Sequence, residues 1–210
     1  MRTKDPKKIE ALIKKRRKQI LGAALSVFSK KGFARTGMDE IALRAKLAKG
    51  TIYHYFKSKE ALFLSVIDEG MENLEGLMLN TIKKENDPVK KIEEAIRTYL
   101  LFFQKNKDLI GVLTHERSEF RRRVKQKYLE HCYEHINKME EIFRQGIRQG
   151  LLKKVDVRSA VAMLADIVNA SIYMWALEGA SYPLIDKLPI ILKIYFTGIL
   201  KDEKRRKAYT

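Results

Sequence analysis

Apolar residues recur along the chain every three or four positions, which is the spacing of helices that bury one face. One stripe consists of Ile20, Ala24, Val27 and Phe28. Gly32 follows two lysines, as expected at a helix end that needs positive φ and favours cations. Further breaks at 86–88, at Gly150 and before Pro183 divide the remainder into long helical segments. The pattern predicts an all-α protein with about nine helices.

Composition agrees with this picture. The 210 residues are 45% hydrophobic and include only 11 Gly and 4 Pro, few for a fold built on tight turns. The single cysteine, Cys132, excludes an internal disulfide and fits a reducing compartment. The basic N-terminal residues lack the apolar core of a signal peptide, and polar residues interrupt the apolar stretches 161–177 and 188–200. We expect a cytoplasmic protein without a membrane span.

Positive charge is concentrated in the first part of the chain. The formal net charge is +17; residues 1–60 hold 17 Lys and Arg against five Asp and Glu, whereas the remaining 150 hold 26 against 21. A basic segment joined to a nearly balanced one is typical of a polyanion-binding domain attached to a domain of another kind. The run 14–18 is either a solvated face or a phosphate contact, and an anionic membrane surface remains an alternative partner.

Residues 37–60 contain the most informative pattern. They predict two short helices joined by a tight turn at 46–48, whose inner faces pack through Ile41, Ala45, Leu47, Ile52 and Tyr55. The second helix, near 49–56, then carries an outer face of Lys49, Thr51, Tyr53 and His54. A major groove admits one helix, so these side chains are candidates to read base edges.

The run Gly-Thr-Ile-Tyr-His-Tyr-Phe-Lys-Ser-Lys-Glu at 50–60 closely resembles the signature of the TetR family of bacterial regulators. The resemblance covers about the first 65 residues. It implies a three-helix DNA-binding domain with a helix-turn-helix at 1–58, and a helical effector-binding and dimerisation domain at 59–210. It further implies a ligand-responsive regulator, more often a repressor, that binds a near-palindromic double-stranded operator as a homodimer.

The resemblance also assigns roles to individual residues. Thr36 and Met38 would touch the sugar-phosphate backbone, and Lys59 would meet a phosphate at a helix N-terminus. The residues that would line the groove are Ala48, Lys49, Gly50, Thr51, Tyr53 and His54. Two positions depart from the family pattern: Lys46 occupies the turn where Gly is usual, and Ala48, which cannot cap, replaces Ser.

Aromatic and apolar residues of the second domain predict a pocket for a small, largely hydrophobic effector, whose binding would release the protein from its operator. We expect no cofactor. The candidate pocket residues are Met71, Phe102, Phe103, His115, Phe120, Tyr128, Asn169 and Tyr173. The polar ones could equally be satisfied core groups.

The last two helices are apolar on more than one face, which favours a two-fold four-helix interface. Its candidate residues are Val161, Leu164, Val168, Ile172, Leu188, Ile191, Leu192 and Tyr195.

Two other functions compete with a specific regulator. His131, Glu134 and His135 match the H-x-x-E-H pattern of a zinc hydrolase, but no third ligand is evident nearby, and a half-exposed helix explains the pattern equally. We therefore predict no enzyme and no metal. The other competitor is a nonspecific polyanion-binding protein driven by charge alone.

Overall fold

The computed structural model describes the backbone of residues 6–114 and 121–201, with the side chains of these residues except 114, 121–125 and 127–134. Within these ranges the chain forms helices and no strand. The helices are α1 (Pro6–Arg35), α2 (Met38–Ala45), α3 (Lys49–Tyr55), α4 (Lys59–Ile82), α5 (Pro88–Lys105), α6 (Lys107–Thr114), α7 (Arg121–Arg148), α8 (Val157–Leu177), a 3-10 helix (Leu184–Lys187) and α9 (Leu188–Ile199). The predicted all-α fold is confirmed.

Local chemistry explains where several helices begin and bend. Gly32 has φ 72° and interrupts α1 near its end, a conformation that Gly adopts at little cost. The Ser58 hydroxyl accepts a hydrogen bond from the Ala61 amide (3.0 Å) and caps α4. The Asp87 carboxylate accepts one from the Val89 amide (2.8 Å) and caps α5, whose first residue is Pro88.

The chain divides into two compact units. Unit 1 comprises residues 1–71 and 108–128, and unit 2 comprises 72–107 and 129–210, so the boundary falls within α4. The core of unit 1 contains the predicted stripe of α1, together with Ile41, Ile52 and Phe56. The Phe28 and Phe63 rings meet edge to face at 4.8 Å and fix α4 against α1.

Unit 2 packs α5, α8 and α9 together with the 3-10 helix. Trp175 of α8 is 1% exposed, and its indole N–H donates to the Tyr182 carbonyl (2.7 Å). Gln104 of α5 accepts a hydrogen bond from the Ile185 amide (3.1 Å), which ties the 3-10 helix to α5. Leu200, directly after α9, pairs with Leu152, which follows α7, through an isolated antiparallel β-bridge.

Candidate DNA interface and effector site

A tight turn joins α2 to α3. Lys46 lies in the left-handed region (φ 56°, ψ 45°), and the Leu47 amide donates to the Ala42 carbonyl (3.0 Å). Ala48 precedes α3 in an extended conformation and makes no side-chain cap. At the two positions that depart from the family pattern, the turn thus holds a non-glycine residue in a strained conformation and α3 starts without a side-chain cap.

The outer face of α3 is open to solvent. Ile52 and Phe56 are buried against the rest of unit 1. The exposed or half-exposed residues on the other side are Ala48, Lys49, Gly50, Thr51, Tyr53 and His54. Tyr53 is 41% exposed, although large aromatic side chains favour burial. The predicted groove-lining residues therefore share one accessible surface, which we call the reading face.

Gly50 lies in the first turn of the reading face. A Cβ atom placed on Gly50 would meet no heavy atom of the chain within 4 Å, and its φ is not positive. Neither space nor backbone conformation within the chain therefore requires glycine at this position.

Lys49 has a partner that its sequence position does not reveal. Its ammonium lies 2.8 Å from the Asp39 carboxylate of α2. The hydrogen bond to Asp39, and then the charge of Asp39, raise the pKa of Lys49. The two residues are ten positions apart and meet only because the turn folds α3 back across α2, so no local pattern signals the pair.

The sugar-phosphate contacts predicted for the side chains of Thr36 and Met38 do not agree with the structure. Thr36 is 3% and Met38 6% exposed. The Thr36 hydroxyl donates to the Gly32 carbonyl (2.7 Å), which satisfies the end of α1 beyond its bend. Both side chains therefore support the passage from α1 to α2, and neither is accessible to DNA.

Lys59 is also corrected, because its ammonium binds within unit 1. It donates to the carbonyls of Phe33 (2.8 Å) and Thr36 (2.9 Å), with a longer contact to Ala34 (3.4 Å), and lies 4.3 Å from the centre of the Phe33 ring. These carbonyls close the end of α1, where the helix dipole favours a cation. With its ammonium hydrogen-bonded to these carbonyls, Lys59 joins α4 to the end of α1.

The predicted effector residues fall into several environments. Met71, Phe102 and Phe103 are buried, while His115, Phe120 and the Tyr128 side chain lie outside the described residues. Asn169 accepts a hydrogen bond from the Tyr99 hydroxyl (3.0 Å), a satisfied polar pair between α8 and α5. Tyr173 is 46% exposed on the outer side of α8, so it is corrected from pocket to surface.

An open groove of about 440 Å³ lies between α1 and α2 in unit 1. Lys30, Glu40 and Arg44 are among its lining residues, and Leu43 at its edge is 81% exposed. None of the predicted effector residues lines it.

The residues assigned to the dimer interface require the clearest correction. All eight are at most 8% exposed in the single chain: Val161, Leu164, Val168, Ile172, Leu188, Ile191, Leu192 and Tyr195. They fill the core of unit 2, and the Tyr195 hydroxyl donates to the Ala160 carbonyl (2.7 Å), where burial raises its pKa.

The exposed apolar residues of the same helices are Met163, Tyr173, Met174 and Leu177 of α8 and Ile190 and Ile194 of α9. We call these six the outer apolar face.

The zinc hypothesis rests partly on residues beyond the description, since the side chains of His131 and Glu134 are not among those described. Among the described side chains, no three His, Cys, Asp or Glu residues are grouped to hold a metal.

In length and composition, α8 is apolar enough to cross a membrane. Six of its apolar residues are nevertheless buried within unit 2: Val157, Val161, Leu164, Val168, Ile172 and Trp175.

Comparison with known proteins identifies the two parts of the chain. Residues 20–66 match the family described as bacterial regulatory proteins, tetR family. Residues 85–178 match the tetracyclin repressor-like C-terminal domain. Both families are regulatory, and they indicate no enzymatic activity.

Individual relatives extend the similarity over most of the chain. The fatty acid metabolism regulator protein of Bacillus subtilis (strain 168) is 28% identical over 182 residues, covering 86% of this chain and 94% of the relative. The crystal structure of the transcriptional regulator FadR from Bacillus subtilis in complex with stearoyl-CoA superposes with a TM-score of 0.77 at 26% identity, covering 86% of this chain and 97% of that one.

A third similarity is to AibR in complex with isovaleryl coenzyme A and operator DNA, with a TM-score of 0.62 at 25% identity over 76% of this chain and 86% of that one. The helix-turn-helix of unit 1, the helical unit that follows, and the two family matches agree with one another. The chain belongs to the TetR family of bacterial transcriptional regulators.

Proposed function

We propose that the chain is a cytoplasmic repressor that binds a near-palindromic operator as a homodimer and is released by a long-chain acyl-CoA thioester. The observation that carries the DNA-binding part is the reading face of α3. It presents Lys49, Tyr53 and His54 to solvent around a glycine that the fold itself does not need. A helix with these features fits a major groove, where Gly50 permits close approach and the larger side chains reach base edges.

The outer apolar face supports a homodimer. Single exposed apolar residues are common on monomers, but here six large ones lie on the two last helices. Small residues of α8, Ala162 and Ala170, are exposed beside them and permit helices of two chains to approach closely. A two-fold axis through this face gives two copies of α3, which would read half-sites about 34 Å apart or a multiple of that distance.

The similar structures support an acyl-CoA effector. FadR from Bacillus subtilis is described with stearoyl-CoA, and AibR with isovaleryl coenzyme A and operator DNA. We extend this ligand class to the present chain, and favour a long acyl chain because the relative at 28% identity over 86% of this chain is a fatty acid metabolism regulator. A long acyl chain also agrees with the hydrophobic effector predicted from the sequence.

Helix α4 supports a route from effector to DNA. It begins in unit 1 beside the end of α1 and finishes in unit 2, so the two units share one helix. An effector could stabilise a different position of the second half of α4. The first half of α4 would then favour a different position too, and the spacing of the two reading faces would change.

The operator is found by sequencing genomic fragments that the purified protein retains. We expect an enriched near-palindrome whose half-sites are about one helical turn apart or a multiple of it. Retention of fragments without a shared sequence would contradict the proposal and favour charge-driven binding.

The effector is tested by titrating stearoyl-CoA into the protein–operator complex, with coenzyme A alone and stearate alone as controls. We expect only the thioester to release the operator. Linkage also requires that saturating operator weakens stearoyl-CoA binding by the same factor by which stearoyl-CoA weakens operator binding. Equal release by all three compounds, or by none, would contradict the assignment.

A further inference from the structure

Residues 6–19 of α1 form an exposed basic arm outside the part that matches the family model, which begins at residue 20. Every residue of this arm is exposed except Arg16, which is half-exposed, and the first buried residue is Ile20. Fourteen helical residues span about 21 Å. The arm buries little within the chain, so its own packing does not explain its presence.

The base of the arm is fixed against the helix-turn-helix. The Gln19 amide donates to the Ala45 carbonyl at the end of α2 (2.7 Å), and Arg16 donates to Gln19 (3.0 Å). The Arg17 guanidinium lies 4.9 Å from the centre of the Phe56 ring, directly after α3. These contacts join the arm to the elements that flank the reading face.

The charge of the arm is one-sided. It contains seven Lys and Arg residues and one acidic residue, Glu10. No ion pair of Lys14, Lys15 or Lys18 occurs among the described residues. Lys14 and Lys18 are four positions apart on the helix, and like charges at this spacing destabilise it. A polyanion alongside the arm would remove this cost.

From this we infer that the arm binds the phosphate backbone of duplex DNA beside the operator half-site, so that each subunit contacts more DNA than its reading face covers. This inference rests on the proposed function for the position of the DNA. Because phosphate contacts carry no base information, the arm adds affinity and salt dependence without changing sequence preference.

The test compares the wild-type protein with the triple variant Lys14→Gln, Lys15→Gln, Lys18→Gln on duplexes that end at the operator or continue beyond it. At 3.4 Å per base pair the arm covers about six base pairs, so the longer duplexes extend at least that far on each side. We expect wild-type affinity to rise with the extension and the variant to lose most of that gain. Each lost phosphate contact lowers the slope of log K against log salt by about 0.9. Far-UV circular dichroism of both proteins, with and without duplex, checks that the fold is retained.

The matched control carries the same charge change elsewhere, at the exposed residues of Lys83→Gln, Lys84→Gln, Lys90→Gln in unit 2. Its salt slope should equal that of the wild type. An unchanged slope in the arm variant would overturn the inference. The inference would also be overturned if the arm variant kept the wild-type salt slope on DNA but lost binding to phosphatidylserine vesicles. That result would assign the arm to a membrane surface. The salt slope is also measured on a random-sequence duplex. Even if the protein shows no sequence preference, this measurement still tells whether the arm contacts phosphates.

Discussion

A methyl group added at Gly50 meets no atom of the chain within 4 Å, and the residue lies in the first turn of α3. Glycine within a helix costs up to about 1 kcal/mol relative to alanine. We therefore expect Gly50→Ala to raise the free energy of unfolding, or leave it unchanged, while weakening operator binding. Chemical denaturation and fluorescence anisotropy measure the two effects separately.

The control is Gly76→Ala in α4, where a Cβ atom also meets nothing. It should bring a similar gain in stability at constant operator affinity. If Gly50→Ala also left affinity unchanged, close approach of DNA to α3 at this residue would be wrong.

Lys46 carries backbone strain that glycine relieves. Its φ of 56° costs an L-residue roughly 1 kcal/mol. Lys46→Gly should raise the free energy of unfolding by about that amount, whereas Lys46→Ala keeps the strained conformation and removes only the charge. Urea denaturation of both variants separates strain from charge; equal stabilities would contradict this explanation.

The ammonium of Lys59 holds the end of α1 by donating to backbone carbonyls. Hydrogen bonds from a charged group contribute about 1.5–3 kcal/mol, so Lys59→Gln should lower the free energy of unfolding by an amount of that order. Its salt slope on duplex DNA should stay that of the wild type. Lys57→Gln, a nearby exposed change, should affect stability little. A reduced salt slope in Lys59→Gln would restore the phosphate contact that the sequence suggested.

At the scale of elements, sequence periodicity predicts the helices well but not which face of each is covered. The stripe of α1 is unambiguous because charged residues occupy its other side. Helix α8 is apolar on both sides, so periodicity could not tell Leu164, which is buried, from Met163, which is 57% exposed. The partners of Lys49 and Lys59 were equally hidden, because they arise from contacts between helices.

The outer apolar face leads to a prediction about assembly. Ile194 of α9 is 64% exposed, and Ile194→Glu would bury an unpaired carboxylate in a dimer, at a cost of several kcal/mol. We expect sedimentation equilibrium to give the monomer mass for this variant, and operator affinity to fall with it. Leu43→Glu, at an 81% exposed residue of α2, should remain dimeric. A dimeric Ile194→Glu protein would exclude α9 from the interface.

At the scale of the whole molecule, the excess positive charge covers a wider region than the few side chains that would read the DNA sequence. Most of the excess positive charge lies in residues 1–60, and it attracts any polyanion. The reading face is a small part of this region, with one exposed tyrosine at its centre. A regulator and a nonspecific DNA-binding protein therefore share this salt-dependent attraction, and they differ in the additional affinity for one sequence that a few α3 side chains contribute.

The most direct test is the ratio of affinities for the selected operator and a scrambled duplex of the same composition, measured for the wild type and Tyr53→Ala at one salt concentration. For the wild type we expect a ratio of about 10³ or more. Tyr53→Ala should lower it at least about tenfold, while the affinity for scrambled DNA and the dimer mass stay nearly constant. A wild-type ratio near one, or the same ratio in both proteins, would contradict sequence reading by α3.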